Sequence, residues 1–424
     1  MMLPRQPADP TRPVTVALSG AGFVGRGIAH RLHRHQGISL ACVVNRSASR
    51  ARTALADAGI AAEQVVETSD PAKASAAIAE GHTAIVTDAE LLPELTGIEV
   101  VIEATGALQH GLAVMLAALK GGRHVVSMNA EADALLGHHL DAVAARSGVT
   151  YSIADGDQPG VLLRLLDETH QLGLAPAVAL NCKRNLDVRQ NRAASQPYAD
   201  RDGTSVAMTT AFGDGTKMHI ENVVVANLSG LTPPPLGSAG VRTTLEQVAQ
   251  DVRSAGIPEG SVHFTLGGDF AGGVLVLARS DDPEFDAPYL RYGKLGDGPW
   301  YPLFRPYHLI HMEVATTIEQ VAAGGAGLGR RQRVPVARCV AVAKRDLSPG
   351  QSLDGIGGDD CYGVAVSEAD GGDLLPIGLA SSATLVRPVP EDRPVALADV
   401  ELDERDPLVH LVQALEGSDD HGNG

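Results

Sequence analysis

Aromatic residues are scarce: one Trp, seven Tyr and six Phe among 424 residues. Since 44% of the chain is nonetheless hydrophobic, Ala, Val and Leu must fill the core, the composition of a soluble α/β enzyme rather than of a fibre or a disordered chain. Basic residues are also in deficit. Lys and Arg number 34 against 51 Asp and Glu, a net charge of −17, which opposes attraction to phosphate backbones and anionic lipids and argues against nucleic acid or membrane as partners. Cysteines are few, and Cys42, Cys182, Cys339 and Cys361 show neither metal-ligand nor redox spacing; they read as reduced, buried thiols of a cytoplasmic protein. No apolar run approaches membrane-spanning length, no charged-then-apolar leader precedes Val14, and there is no internal repeat.

The length exceeds what one hydrophobic core usually supports, so two or three domains are expected. The first dozen residues carry Pro4, Pro7 and Pro10 and read as a loose arm. Order begins with a buried strand over 14–18, a Gly-rich turn and a helical pattern through Ile28, Leu32 and His35. Strands over 38–44, 84–86, 100–102, 124–128 and 149–153 alternate with helices over 50–58 and 109–119, which predicts a parallel, doubly wound sheet closing near residue 155. From 156 to 335 the alternation loosens around Pro233-Pro234-Pro235 and Asp297-Gly298-Pro299, as in an α+β substrate domain. Residues 336–424 read as short strands cut by Gly and Pro, a compact β appendage, with an acidic, solvated or frayed tail over 401–420.

Gly20-Ala21-Gly22-Phe23-Val24-Gly25 follows the first strand and opens a helix. There Gly20 permits the tight turn, Gly22 lets backbone approach a pyrophosphate, and Gly25 packs helix on strand, while unpaired N–H groups of the helix face the phosphates. The bland alternative is a Gly-rich turn kept for packing. At the end of the second strand, where NAD-binding units place an acidic residue on the ribose, stand Asn45, Arg46, Ser47 and Arg50. Guanidinium groups suit a 2′-phosphate, so NADP is favoured over NAD. Thr105 and Gly106, after the strand ending Ile102-Glu103-Ala104, are expected beside the nicotinamide.

Polar clusters carry the candidate chemistry. Asn129-Ala130-Glu131-Ala132-Asp133 supports two readings: a pair of carboxylates, Glu131 and Asp133, sharing acid–base work or holding a divalent cation such as Mg or Mn, or an Asn cap with acidic residues in a first helical turn. Asp155-Gly156-Asp157-Gln158-Pro159 is either a polar site turn or an Asx turn capping a helix. Asp214-Gly215-Thr216-Lys217, followed by Glu221 and Asn227, sets Lys217 and Glu221 four apart on one helix face, as a surface pair or as a catalytic ammonium held by a carboxylate. Arg305, His308 and His311 form a last group without His-Glu-x-x-His zinc spacing.

Taken in order, residues 125–137 (VVSMNAEADALLG), 151–159 (YSIADGDQP), 214–217 with Glu221 and Asn227, 305–309 (RPYHL) and 343–358 (AKRDLSPGQSLDGIGG) resemble the homoserine-dehydrogenase-like oxidoreductases with a C-terminal SAF domain, whose best-known members are deoxyxylulose-phosphate-reductoisomerase-like. The resemblance implies an NADPH-dependent Rossmann domain over 14–155, a central α+β catalytic and dimerisation domain over 156–335, and a β-clip SAF domain over 336–424, working as a homodimer or higher homo-oligomer. It implies an NADPH-dependent reductase or reductoisomerase of a small hydroxylated carbonyl compound, sugar phosphates included. A plain dehydrogenase of a hydroxy or amino alcohol, and a non-catalytic NADP-sensing or scaffold protein, are the alternatives. Lys217 would polarise the carbonyl, with Asp214, Glu131 and Asp133 also in the catalytic set, and Lys183 and Arg305 would anchor anionic groups of the substrate. Asn129, Asp157, Gln158, Glu221, Asn227 and His308 complete the expected substrate pocket. Two departures stand out. Ala130 occupies the position where homoserine dehydrogenases carry lysine, and Arg184 replaces the glycine of an Asn-x-Lys-Gly pattern.

Overall fold

A computed structural model describes residues 12–419 except Pro234, Gly237 and Asp269. The expected N-terminal arm over 1–11, Pro234 of the triple-proline connection and Asp420 of the tail lie outside the described residues. The chain folds as two compact units, one of residues 1–157 and 309–328, the other of 158–308 and 329–424.

In the first unit, strands β1 (Val14–Ser19), β2 (Ile38–Val44), β3 (Val65–Glu67), β4 (Thr83–Val86), β5 (Val100–Glu103), β6 (His124–Ser127) and β7 (Tyr151–Ile153) alternate with helices α1 (Phe23–His33), α2 (Ala48–Ala58), α3 (Pro71–Ala79), α4 (Leu108–Lys120) and α5 (Ala130–Arg146). All pairings are parallel, in the order β3-β4-β2-β1-β5-β6-β7. This is the doubly wound sheet expected of buried, Val- and Ile-rich strands joined by helices. The order reverses at β1, whose neighbours are β2 and β5, and a ligand crevice opens at the carboxyl ends of such strands.

The second unit begins with α6 (Gln158–Gln171), β8 (Ala175–Lys183), α7 (Arg192–Asp202), α8 (Val206–Gly213) and α9 (Thr216–Ser229). It continues through β9 (Val241–Arg242), α10 (Val248–Ser254), β10 (Ser261–Leu266), β11 (Val274–Arg279), α11 (Pro283–Tyr292) and β12 (Tyr301–Arg305). Its mixed sheet runs β12-β11-β8-β10-β9. The chain then returns to the first unit as α12 (Ile310–Ala322), inside the range assigned by sequence to the central segment. The reason is apolar: Val314, Ile318 and Val321 join Val16, Leu18, Ile28 and Leu32 in one core, and Thr317 Oγ1 accepts the Asp155 amide at 2.9 Å.

After α12 come β13 (Ala337–Ala343), β14 (Cys361–Ser367), the short α13 (Glu368–Gly371), β15 (Ala383–Leu385), β16 (Val400–Leu402) and α14 (Pro407–Asp419). Besides the two antiparallel pairs β13–β14 and β15–β16, isolated bridges such as Val342 to Pro394 and Leu347 to Val389 hold the connecting segments. The segment is mostly short strands, but it packs with the central residues as one unit, through α9 against β13 and β14. The tail also differs from a frayed end. Asp406 accepts the Leu408 amide at 2.8 Å, Pro407 suits a first helical turn, and Leu408, Val409 and Val412 are buried.

All four cysteines are free and buried, and burial pushes the Cys42, Cys182 and Cys361 thiols up to about 12. Among the described residues no helix is long and apolar enough to cross a membrane.

Two buried histidines of the second unit went unnoticed in the sequence. His219 lies edge-on to Phe264, and His263 meets the Ser238 hydroxyl through Nε2 at 2.7 Å while its Nδ1 accepts the Phe264 amide at 2.8 Å. Burial lowers their pKa values to about 3 and about 4, so both are neutral in the folded chain. The unfolded chain protonates near pH ~6.5, so stability is intact above that pH and falls below it by about 1.4 kcal/mol per pH unit per histidine until the folded values are reached. Denaturant unfolding between pH 7 and 4 should show this slope, and His219→Leu should remove about one proton's worth of it.

Candidate active site

In the first unit the cofactor loop is built by close backbone approach. Gly20 has φ +107°, and a Cβ there would stand 2.9 Å from the Ala104 carbonyl and 3.1 Å from the Thr105 nitrogen. A Cβ at Gly25 would stand 2.1 Å from the Gly20 oxygen, whereas one at Gly22 would meet nothing within 4 Å. The three glycines therefore do different things: two permit packing and one leaves open space at the start of α1. Gly22 caps that helix without a side-chain bond, Phe23 is exposed and Val24 is half-buried, so the first-turn N–H groups have no side-chain cap.

The loop is braced by Asn45, whose Oδ1 accepts the Ala21 amide at 3.2 Å and whose Nδ2 donates to Ser47 O at 2.8 Å. Ser47 caps α2 and lies 2.9 Å from the Ser49 hydroxyl, with exposed Arg46 beside it. His110 of α4 is close enough to Arg46 for the guanidinium to help lower its pKa, after burial. Asn45, Arg46 and Ser47 are expected here from the sequence; His110 is not, since nothing in the spacing relates residue 110 to residue 46.

Glu103 ends β5 fully buried, opposite Ser19 of β1. It accepts the Thr105 amide at 2.8 Å and the Thr105 hydroxyl, and Gly106 takes φ +64° just beyond. Burial pushes the Glu103 carboxyl up, opposed by its bonds from Thr105 and Asn129. It is therefore a brace for the 103–107 loop. Asn129 Oδ1 accepts the Ala132 amide at 3.0 Å, which makes it the cap of α5. Glu131 and Asp133 are both buried in the first turn, and Asp133 accepts the Tyr151 hydroxyl at 2.9 Å. Among the described residues no three His, Cys, Asp or Glu side chains are grouped to hold a metal ion. A cation held by Glu131 and Asp133 would therefore need substrate oxygens or water as its further ligands. Asp157 is half-buried just ahead of α6.

In the second unit three residues far apart in sequence meet. Lys183, at the carboxyl end of β8, donates to Gln158 Oε1 at 2.7 Å and lies 3.5 Å from Glu221 Oε2, with the Phe212 ring 5.9 Å from its ammonium. Gln158 in turn donates to Gly273 O at 3.2 Å, and His308 Nδ1 lies 2.8 Å from Gly272 O, so both side chains are placed by the turn leading into β11. Arg305 stacks 5.1 Å over the Tyr307 ring at the end of β12. Lys217 and Glu221 are buried one turn apart on α9. Asn181, two residues before Lys183, donates to Asn222 at 2.6 Å. His308 precedes α12 and His311 lies on it, where a Cβ at Gly27 would collide with the His311 ring at 2.7 Å.

Two expected site residues have structural partners instead. Asn227 uses its whole amide on backbone, donating to Ala337 O at 3.1 Å and accepting the Val336 and Ala337 amides at 2.9 and 3.1 Å. Asp214, expected to be catalytic, accepts the Thr216 amide at 2.8 Å and forms a buried ion pair with Lys344 at 2.8 Å. Burial pushes its carboxyl up against the pull of Lys344. Lys344 had been read only as part of the 343–358 run.

The parallel sheet with its open glycine loop, together with the family models matched by the two parts of the chain, defines a class: the chain is an NAD(P)-dependent oxidoreductase. Residues 20–154 match the family described as homoserine dehydrogenase, NAD binding domain, and residues 156–314 match oxidoreductase DRL, catalytic domain. Similar solved structures include a homoserine dehydrogenase from Thiobacillus denitrificans, 17% identical over 73% of this chain and 73% of that one, with a TM-score of 0.45. A 1-deoxy-D-xylulose 5-phosphate reductoisomerase from Zymomonas mobilis in complex with NADPH is 15% identical over 74% of this chain and 82% of that one, TM-score 0.39. A probable dehydrogenase from Thermotoga maritima is 12% identical over 75% and 91%, TM-score 0.41. No curated protein matches the chain.

The glycine geometry separates packing from ligand contact. Gly25→Ala should lower both thermal stability and NADPH affinity. Gly22→Ala should leave stability within about 0.5 kcal/mol and weaken NADPH binding, measured by quenching of protein fluorescence, by about tenfold or more. Equal affinity in Gly22→Ala and the parent chain would assign the loop to packing alone.

Proposed function

We propose that the protein is an NADPH-dependent reductase or reductoisomerase of a small hydroxylated carbonyl compound, sugar phosphates among the candidates. The observation that carries this reading is the Gln158–Lys183–Glu221 cluster, with Lys217 one turn from Glu221 on a buried helix. The nicotinamide, when bound, supplies the hydride. Lys217 polarises the substrate carbonyl and gives the developing alkoxide its proton, so that C=O becomes CH–OH as one hydride and one proton are added. Glu221 keeps an anionic partner beside Lys183, and Gln158 fixes the direction of that ammonium. The Lys183 ammonium and the Arg305 guanidinium hold substrate oxygens or a phosphate. Asp214 serves by position rather than by contact with substrate. Arg46, Ser47 and Asn45 favour NADP through the 2′-phosphate. The same reading takes residues 336–424 as the SAF domain and the working form as a cytoplasmic homodimer.

One observation favours the plain dehydrogenase reading, reduction without skeletal rearrangement: Asp133 is engaged by Tyr151, and the acidic pair finds no third metal donor among the described residues. The carbon connectivity of the product, read by NMR, separates the two, and an isomerised skeleton formed only with added Mg or Mn restores the metal reading.

NADPH oxidation against a panel of ketoses, aldehydes and sugar phosphates tests the proposal. One member should turn over, and Lys217→Met should lower its kcat by about 10²- to 10⁴-fold with NADPH affinity unchanged. No turnover by folded, NADPH-binding protein, or full activity in Lys217→Met, would refute the assigned roles. Arg46→Ala should cut the preference for NADPH over NADH by about tenfold or more.

A further inference from the structure

The helix that carries Lys217 and Glu221 starts without a side chain at its N-cap. Gly215 precedes it at φ +87°, where a Cβ would stand 2.4 Å from Leu186, and a glycine offers no side chain to cap the first turn. The Asp214 carboxylate takes the Thr216 amide instead, and its own partner comes from more than a hundred residues downstream. Lys344, itself buried, gives its ammonium to Asp214 at 2.8 Å, Gln190 O at 2.7 Å and Gly358 O at 2.6 Å, and Asp214 holds the Thr216 amide. Thr216 Oγ1 accepts the Gly363 amide of β14 at 2.8 Å. At the far end, Asn227 is bound to the backbone of Val336 and Ala337. Both ends of α9 are thus tied to the C-terminal β segment.

We infer that Lys344 is a positioning residue for the reaction: through Asp214 it fixes the start of α9, and with it the directions of Lys217 and Glu221. This rests on the reading that α9 carries the chemistry. Lys217 stands three residues beyond Asp214 and Glu221 four beyond Lys217, so a rotation at the first turn moves both side chains together. The chemistry of the anchor is specific. Two carbonyl oxygens accept from the ammonium at 2.7 and 2.6 Å while the Asp214 carboxylate lies 2.8 Å away as its ion-pair partner, a compact arrangement that suits an ammonium better than a planar guanidinium. Removing the ammonium leaves Asp214 as a buried carboxylate without its cation, whereas neutralising both partners does not. The β segment is on this view a working part of the catalytic unit.

The test uses the full chain and hydrogen–deuterium exchange read by mass spectrometry, with NADPH binding and turnover of the panel substrate alongside. In Lys344→Met, exchange over residues 214–222 should accelerate by about tenfold or more, the cost of losing charge-assisted bonds. Peptides of the first unit and NADPH affinity should be unchanged. In Asp214→Asn/Lys344→Met, with no buried charge left, most of the protection should return. kcat should follow the same order, with KM changing by less than about threefold. Unchanged exchange over 214–222, or acceleration spread evenly over the second unit with no recovery in the double variant, would overturn the proposal. If Lys344→Met does not fold, Thr216→Val, which loses only the bond from Gly363, is judged by the same criteria. Full turnover in Lys217→Met would remove the assigned chemistry while leaving the exchange result for the anchor standing, so the two failures are distinguishable.

Discussion

A helix enclosed on every side cannot leave a charged or amide group without compensation, and α9 is such a helix. Residues 216–228 are buried throughout, including Lys217, His219, Glu221, Asn222 and Asn227. An unpaired polar group in that setting costs on the order of 1–3 kcal/mol, and a charge more. The rest of the second unit answers this demand: Lys183 and Gln158 come to Glu221, Asn181 to Asn222, backbone of the β segment to Asn227, and the pair Asp214–Lys344 to the first turn. His219 meets the same constraint by remaining neutral. Strands β8, β13 and β14 thus surround one polar interior, and this explains why residues 329–424 fold with 158–308 as a single unit.

How much of this is legible in the sequence follows from the range of the interactions. The first unit is governed by local signals: a buried strand, a glycine turn and an amphipathic helix repeat within tens of residues, and β1, β2, β5 and β6 stand within a residue or two of the expected positions. α9 offers no such contrast, because a helix buried all round shows no polar face to set its period. Its polar residues could be picked out as unusual, but sequence spacing could not tell Glu221, which meets Lys183, from Asn227, whose amide is consumed by backbone. The ordered motif series led to Gln158 and Lys183 where periodicity alone would not. Lys344 lay inside one of those motifs and was passed over, because a lysine in a Gly- and Pro-rich stretch reads as exposed until its partners 130 and 154 residues away are known.

The return of the chain as α12 has a similar cause. Residues 310–322 are an ordinary amphipathic helix in sequence, and nothing local says which core receives them. The choice is made by complementarity at a distance: Gly27 leaves room for the His311 ring, Gly156 leaves room for the carbonyls of Leu309 and Ile310, and Val314, Ile318 and Val321 complete an apolar layer beside β1 and α1. A boundary drawn from composition therefore runs through a region that the packing divides.

The two units divide the chemistry by the kind of group each can supply. The first offers backbone amides at an open helix start and braces made of neutral or single-partner side chains, Asn45, Thr105 and Asn129. Such a surface suits a large anionic dinucleotide, for which fixed dipoles cost no reorganisation. The second offers ammonium groups, whose protons can move. Lys183 is paired with Glu221 and oriented by Gln158. Lys217 shares a helix with that carboxylate. An electrophilic carbonyl needs a proton delivered at the moment the hydride arrives, and the second unit holds Lys217 and Lys344 buried, where the field of a cation is strong. On the proposed reading α9 carries the reaction and the glycine loop the cofactor, and the anchoring of α9 by distant residues then serves the chemistry as well as the packing.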